Sequence, residues 1–221
     1  MPNHLEHAVI YLAGDSTVQS YSQDYAPQAG WGQFIANYFS SNVTFHNHAI
    51  GGRSSKSFVE EGRLERILEA IAADEYLFIQ MGHNDSTYSK PERYTEPFST
   101  YKQYLKQYVT GARSRGAVPL LITPVGRLHY EDGQFQNDFS DYCLAMKQVA
   151  SELDVTLIDL MSKSLAYYDT IGFEQAQKLF MVSVNGTDHT HFTEAGADAI
   201  ARIVAAEVKE KRLAISKFVE L

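Results

Sequence analysis

The sequence predicts an α/β protein with a doubly wound, five-stranded parallel sheet in a three-layer sandwich. Strand-length apolar runs recur along the chain, amphipathic stretches of helical period separate most of them, and short glycine-containing polar turns follow them. The five runs are AVIYL (8–12), VTFHNHAI (43–50), YLFIQMG (76–82), VPLLITP (118–124) and VTLIDL (155–160). They are rich in β-branched, aromatic and aliphatic residues, as strands that bury their side chains require.

The first helical stretch, SFVEEGRLERILEAIAA (57–73), repeats Phe58, Leu64, Ile67, Leu68 and Ile71 at helical spacing. The second, PFSTYKQYLKQYVTGARSRG (97–116), does so with Phe98, Tyr101, Leu105 and Tyr108 and reaches a stop signal at Gly116. NDFSDYCLAMKQVASEL (137–153) follows the fourth strand, and TEAGADAIARIVAAEVKEKR (193–212) closes the pattern with Ile200, Ile203, Val204 and Val208 on one face. Internal repeats, low-complexity tracts and Pro/Gly/Ser-rich linkers are absent from the sequence, which predicts one domain over 1–221.

A formal net charge of -8 without a basic run argues against nucleic acid and anionic membranes as partners. No apolar run is long enough to span a bilayer, and the N-terminus lacks a basic segment followed by an apolar one. Cytoplasmic placement is therefore expected. The single cysteine, Cys143, rules out an internal disulfide and falls in an amphipathic stretch, which predicts a buried, inert thiol.

In a parallel sheet the strand C-termini collect along one edge, where ligands bind. Here those ends read GDST (14–17), GGRS (51–54), GHND (82–85) and TPVGR (123–127). Each Gly-polar turn is ordinary by itself, but three that combine glycine with polar groups on one edge suggest a reactive site. Ser16 is the candidate nucleophile, and a nucleophile needs a base and an acceptor for negative charge. Among eight histidines, His4 and His7 precede the first strand and are expected in solvent. His46 and His48 alternate on the second strand, as exposed or satisfied residues on one face would. The distinctive segment is NGTDHTHFTEAG (185–196). Asp188 and His191 are three apart, so within a helical turn the carboxylate reaches a ring nitrogen, orients the imidazole and leaves the other nitrogen for a serine proton. Two other readings stay open: Asp188, His189 and His191 as metal ligands, or a polar cap for the last helix with Thr193 as N-cap and Glu194 in its first turn.

Stabilising an oxyanion takes donors aimed at one point. Candidates are the N–H groups of Ser16 and Gly52 and the side-chain amide of Asn84, with Gly82 allowing close packing beneath it. The bland alternatives are a Gly51-Gly52 turn and an Asn84-Asp85 helix cap.

These four blocks, in order GDS (14–16), Gly52, GHND (82–85) and DHTH (188–191), resemble those of the SGNH (GDSL-type) hydrolases. GDSTV, GWGQ (30–33), AIGGRSSKSF (49–58) and TDHTHFTEAGA (187–197) are similar to the rhamnogalacturonan acetylesterase branch of that family. The resemblance implies a flavodoxin-like fold, a Ser16–His191–Asp188 triad, and an oxyanion hole from Ser16, Gly52 and Asn84. It further implies ester hydrolysis through an acyl-enzyme, without a cofactor or metal, on O-acetyl groups of pectin-type oligosaccharides. Trp31, Arg53, His83 and His129 are candidate substrate contacts: Trp31 to stack on a sugar, although the single tryptophan of a small domain more often packs in the core, and Arg53 to pair with a uronic carboxylate or, equally, to stand solvated at a helix start. The long loop GRLHYEDGQFQND (126–138) is a candidate wall of the groove. A lipase, thioesterase or arylesterase would use the same triad with a more apolar acyl pocket, and a carbohydrate-binding protein without catalysis is a third reading. Oligomeric state is not legible in the sequence.

Overall fold

The computed structural model describes residues 6–221, so His4 lies outside the described residues. The sheet strands are β1 (Ala8–Gly14), β2 (Val43–Asn47), β3 (Tyr76–Gln80), β4 (Val118–Ile122) and β5 (Thr156–Ile158). All neighbours pair in parallel, in the order β2-β1-β3-β4-β5. The register sets Ile10 between Phe45 and Tyr76, and Tyr76 opposite Val118. The chain moves outward from β1 to β2, then returns to place β3 on the other side of β1. The crevice between β1 and β3 is therefore the switch point at which such sheets bind ligands.

Side-chain alternation divides the core into two layers. Ile10, Leu12, Phe78, Leu120 and Ile122 face one side, while Tyr11, Ala13, Leu77, Ile79 and Leu121 face the other. Because β1 and β3 are covered on both faces, they read as near-continuous apolar runs. β2 is an edge, with Thr44 and His46 exposed; His46 and the exposed His48 lie against the Tyr11 ring.

The helices match the expected pattern with four differences. The stretch expected as one helix over 57–73 is two, α1 (Ser55–Glu60) and α2 (Arg63–Ala70). Gly62 separates them at φ +69°, a left-handed conformation that ends one helix and redirects the chain into the next. The second stretch opens in a wide π turn over Pro97–Tyr101 before α3 (Lys102–Ser114), and α4 (Ser140–Glu152) follows β4 as expected. The expected strand over 155–160 is shorter because Asp159 already caps α5 (Leu160–Ile171), its carboxylate accepting from Ser162 N–H. Then come α6 (Phe173–Lys178) and α7 (Val182–Asn185), for which the periodicity gave no signal. Finally α8 (Glu194–Glu210) starts at Thr193, whose hydroxyl accepts from Gly196 N–H. Among the described residues no helix is long and apolar enough to cross a membrane. Cys143 is buried in α4, and burial pushes its thiol up to about 12.

Trp31 takes the core-packing alternative and not the sugar contact. It is a core residue, 1 % exposed, and its indole Nε1–H donates to Gln80 Oε1 at 2.8 Å. The chain from 31 to 38 forms short 3₁₀ turns against α8, which turn the indole inward rather than toward the strand ends. Trp31→Phe keeps the ring but leaves the buried Gln80 oxygen without its donor. We expect a loss of about 1–3 kcal/mol in unfolding free energy, measured from urea midpoints. An unchanged midpoint would show that this bond contributes nothing to stability.

Candidate active site

β1 ends at Gly14, and the chain turns at once. Asp15 directs that turn: its carbonyl accepts from Val18 N–H and Gln19 N–H, while its Oδ1 accepts the N–H and hydroxyl of Thr17. The carboxylate is fully buried and its other oxygen lies 3.2 Å from His83 Nδ1. Burial works against ionisation, but the pairing with His83 and the Thr17 donors outweigh it and hold Asp15 below the usual carboxylate value. Ser16, between two buried neighbours, is left half-exposed on the sheet rim. The Tyr21 hydroxyl donates to the Ser16 carbonyl at 2.9 Å, and burial pushes that phenol up to about 12.

The β3 end is held as firmly. Adding a Cβ at Gly82 would bring it within 2.4 Å of the Pro124 ring, so only glycine lets these two strand ends approach. Asp85 is buried and accepts from Ser55 N–H, the Ser55 hydroxyl and the Thr95 hydroxyl, while burial raises its carboxyl to about 6. Asn84 sits between the anchored His83 and Asp85. Its Nδ2 donates to the Arg53 carbonyl at 3.0 Å, which orients the amide nitrogen and leaves a second N–H.

After β2, Gly51 N–H donates to Gln19 Oε1. Neither Gly52 N–H nor Ser16 N–H donates to a protein acceptor among the described residues. This difference separates the two glycines that the sequence leaves close to equivalent.

The fourth component comes from the segment before α8. Asn185 Oδ1 accepts from Thr187 and Asp188 N–H groups, and Asp188 Oδ1 in turn accepts from Thr190 and His191 N–H groups. In this tight turn Asp188 Oδ2 meets His191 Nδ1 at 2.7 Å. Partial burial opposes ionisation of Asp188, but those backbone donors and the His191 ring lower its pKa overall. His191 Nε2 lies 3.0 Å from Ser16 Oγ across 175 residues of sequence. Both ring nitrogens of His191 are thus engaged, and His189 lines a different cavity, so the DHTH residues do not converge on one point as metal ligands would.

Ser16, Gly52, Asn84 and His191 line a cavity of about 500 Å³, together with Gln19, Tyr21, Tyr25, His83, Thr87, Arg93, Arg127 and Thr190. Three expected substrate contacts stand differently. Arg53 is turned to Glu61 at 3.1 Å and to the Gly51 carbonyl, outside the cavity lining. His83 is at the cavity wall, but its ring nitrogens face Asp15 and the Val125 carbonyl, which leaves no free edge for a ligand. His129 pairs with Asp138 in a neighbouring cavity of about 710 Å³, whose lining includes Tyr130, Phe139 and Phe173 and which shares Arg127 and Thr190 with the first. Tyr21, Tyr25 and Arg93 carried no sequence signal, because they come from irregular segments beyond the short motifs.

The family follows from these observations and from comparison with known proteins. The model of the GDSL-like lipase/acylhydrolase family matches residues 10–204, and the chain belongs to that family of carboxylic ester hydrolases. It is 57% identical over 217 residues to a probable rhamnogalacturonan acetylesterase, YesY, of Bacillus subtilis, covering 98% of this chain and 97% of the relative. It is 43% identical to the rhamnogalacturonan acetylesterase RhgT of the same organism, covering 91% and 89% of the two chains. The crystal structure of Bacillus subtilis YxiM superposes with a TM-score of 0.85 at 32% identity, over 95% of this chain and 58% of that one. An acetylxylan esterase, Axe2 of Geobacillus stearothermophilus, shares the fold at a TM-score of 0.68 and 14% identity, over 91% and 95%.

Asp15→Asn tests the support beneath Ser16. Asparagine removes the charge and one acceptor oxygen of a buried, fully hydrogen-bonded carboxylate, at a cost of about 1–3 kcal/mol at neutral pH. The folded-state pKa lies below the ordinary 3.8, so this contribution is complete above 3.8 and disappears as pH falls through the lower value. The gap between wild-type and variant urea midpoints should therefore be wider at pH 7 than at pH 3. A gap of constant width would mean that the Asp15 charge contributes no stability.

Proposed function

We propose that this chain is a serine esterase that removes O-acetyl groups from carbohydrate, with pectin-type rhamnogalacturonan oligosaccharides as the substrate class. One observation carries the reading: the continuous contact from Asp188 Oδ2 through His191 to Ser16 Oγ, at 2.7 and 3.0 Å, beside unengaged N–H donors. The relatives named as rhamnogalacturonan acetylesterases, aligned along nearly the whole chain, support the substrate class.

In this mechanism Ser16 Oγ attacks the acetyl carbonyl while His191 Nε2 takes its proton. Asp188 holds Nδ1–H and stabilises the imidazolium. The tetrahedral oxyanion is met by Ser16 N–H, Gly52 N–H and the second Nδ2–H of Asn84. Collapse expels the sugar hydroxyl, to which His191 returns the proton, and leaves an acetyl group on Ser16. Water activated by His191 then releases acetate. The residues need no cofactor for these steps. Residues 1–221 act as one catalytic domain in this reading, and the two adjoining cavities give room for sugars on either side of the scissile ester.

Ser16→Ala should abolish acetate release while the urea midpoint is retained; undiminished turnover would remove Ser16 from the mechanism. Acetate release from acetylated rhamnogalacturonan oligosaccharides should exceed that from acetylated xylan, and kcat/KM should fall from acetyl to octanoyl esters. The opposite acyl trend would favour a lipase-like enzyme.

Asn84→Ala should lower kcat by about 10²–10³ with little change in KM, because the donor acts mainly on charge that develops in the transition state. A variant that loses stability and keeps full kcat would reduce Asn84 to a structural role.

A further inference from the structure

The charge around Ser16 is opposite to that of the chain. The sequence carries 27 acidic and 19 basic residues, yet the lining of the Ser16 cavity contains two arginines, two histidines and no carboxylate. The nearby acids are already engaged: Asp15 with His83, Asp188 with His191, and Asp138 with His129 in the adjoining cavity.

The two arginines are Arg93 and Arg127, and neither joins an ion pair among the described residues. In each, Nε is buried without a hydrogen-bond partner among the described residues. A buried guanidinium N–H without an acceptor is costly. Arg53 shows the ordinary alternative, with its charge met by Glu61.

Both side chains are also held in place. Arg93 reaches the Gly52 carbonyl at 3.4 Å and the Thr87 hydroxyl at 3.3 Å, on the oxyanion side of the cavity. Arg127 lies over the Phe139 ring, 5.1 Å from its centroid. Its backbone is pinned on both sides: Gly126 bonds Ser164 and Tyr168, and Leu128 N–H donates to the His189 carbonyl. Ordering costs are thus largely met before a ligand arrives.

We propose that Arg93 and Arg127 form a carboxylate receptor that holds a uronate of the acetylated oligosaccharide and so sets specificity for acidic over neutral glycans. This rests on the carbohydrate-esterase reading above and adds the residues that read the sugar's charge. Planar guanidinium groups match a carboxylate by paired N–H···O bonds, which makes them better suited than ammonium groups to this task.

The test separates binding from turnover. Trigalacturonate and its methyl ester are titrated into Ser16→Ala protein by calorimetry, so that no ester is consumed. The acid should bind about tenfold or more tightly than the methyl ester, and the advantage should shrink as salt rises. It should fall toward unity when Arg93→Gln and Arg127→Gln are added, and Arg127→Lys should keep only part of it. Equal affinity for acid and ester, binding of neither, or a preference that survives both glutamine substitutions would overturn the receptor. Because the acid–ester comparison is made first on unsubstituted arginines, it stands even if a glutamine variant folds poorly. Acetate release by the wild-type enzyme from acetylated, methyl-esterified oligosaccharide is measured separately. Release without any acid preference retains the esterase and removes the receptor; acid preference without release from any acetyl ester does the reverse.

Discussion

The buried Asp15 carboxylate is the constraint around which the rest of the site is organised. It accepts from Thr17 on one oxygen and pairs with His83 on the other, so one group ties the turn after β1 to the turn after β3. The network continues inward, because the Thr17 hydroxyl also accepts from Gln80, which accepts from Trp31. A buried charge is tolerated only when it is paired and hydrogen-bonded, and Asp15 meets both conditions. The outcome is that Ser16 stands beside a residue that cannot move independently of the sheet.

A second set of bonds brings the distant histidine to this framework. His191 precedes a two-residue antiparallel pairing of Phe192–Thr193 with Gln28–Ala29. Its carbonyl accepts from Met181 N–H, and the neighbouring His189 carbonyl accepts from Leu128 N–H. The segment is therefore fastened to three other parts of the chain before its ring reaches Ser16. Fixing both partners in this way keeps His191 Nε2 within hydrogen-bond distance of Ser16 Oγ.

Charge is distributed on a different principle from shape. The molecule is acidic overall, which suits solubility, whereas the cavity walls carry the basic groups. Arg53, singled out by its position after Gly52, is neutralised by Glu61, eight residues further along and beyond α1. Arg93 and Arg127 form no ion pair among the described residues. An arginine's role is set by which acid lies beside it, and that is a tertiary property.

The sequence by itself determined the parallel sheet, its strand ends and the ordered blocks around Ser16, Gly52, Asn84 and Asp188–His191. These are local: buried strands write apolar runs, turns need glycine and short polar residues, and Asp188 and His191 lie within one turn. The break at Gly62 and the helices after Ile158 were harder to see, because amphipathic period continues through the first and a capping Asp159 hides inside an apolar run in the second. The hairpin in the 126–138 loop, Tyr130–Glu131 paired with Gln134–Phe135, turns on Asp132-Gly133, a short-range signal obscured by its polar surroundings. Tertiary structure alone decided between core and sugar contact for Trp31, that His83 supports Asp15 instead of facing a ligand, and that Arg93 and Arg127 share one cavity. Each of those depends on which side chain meets another across many residues of chain, and no local pattern encodes a partner that packing supplies.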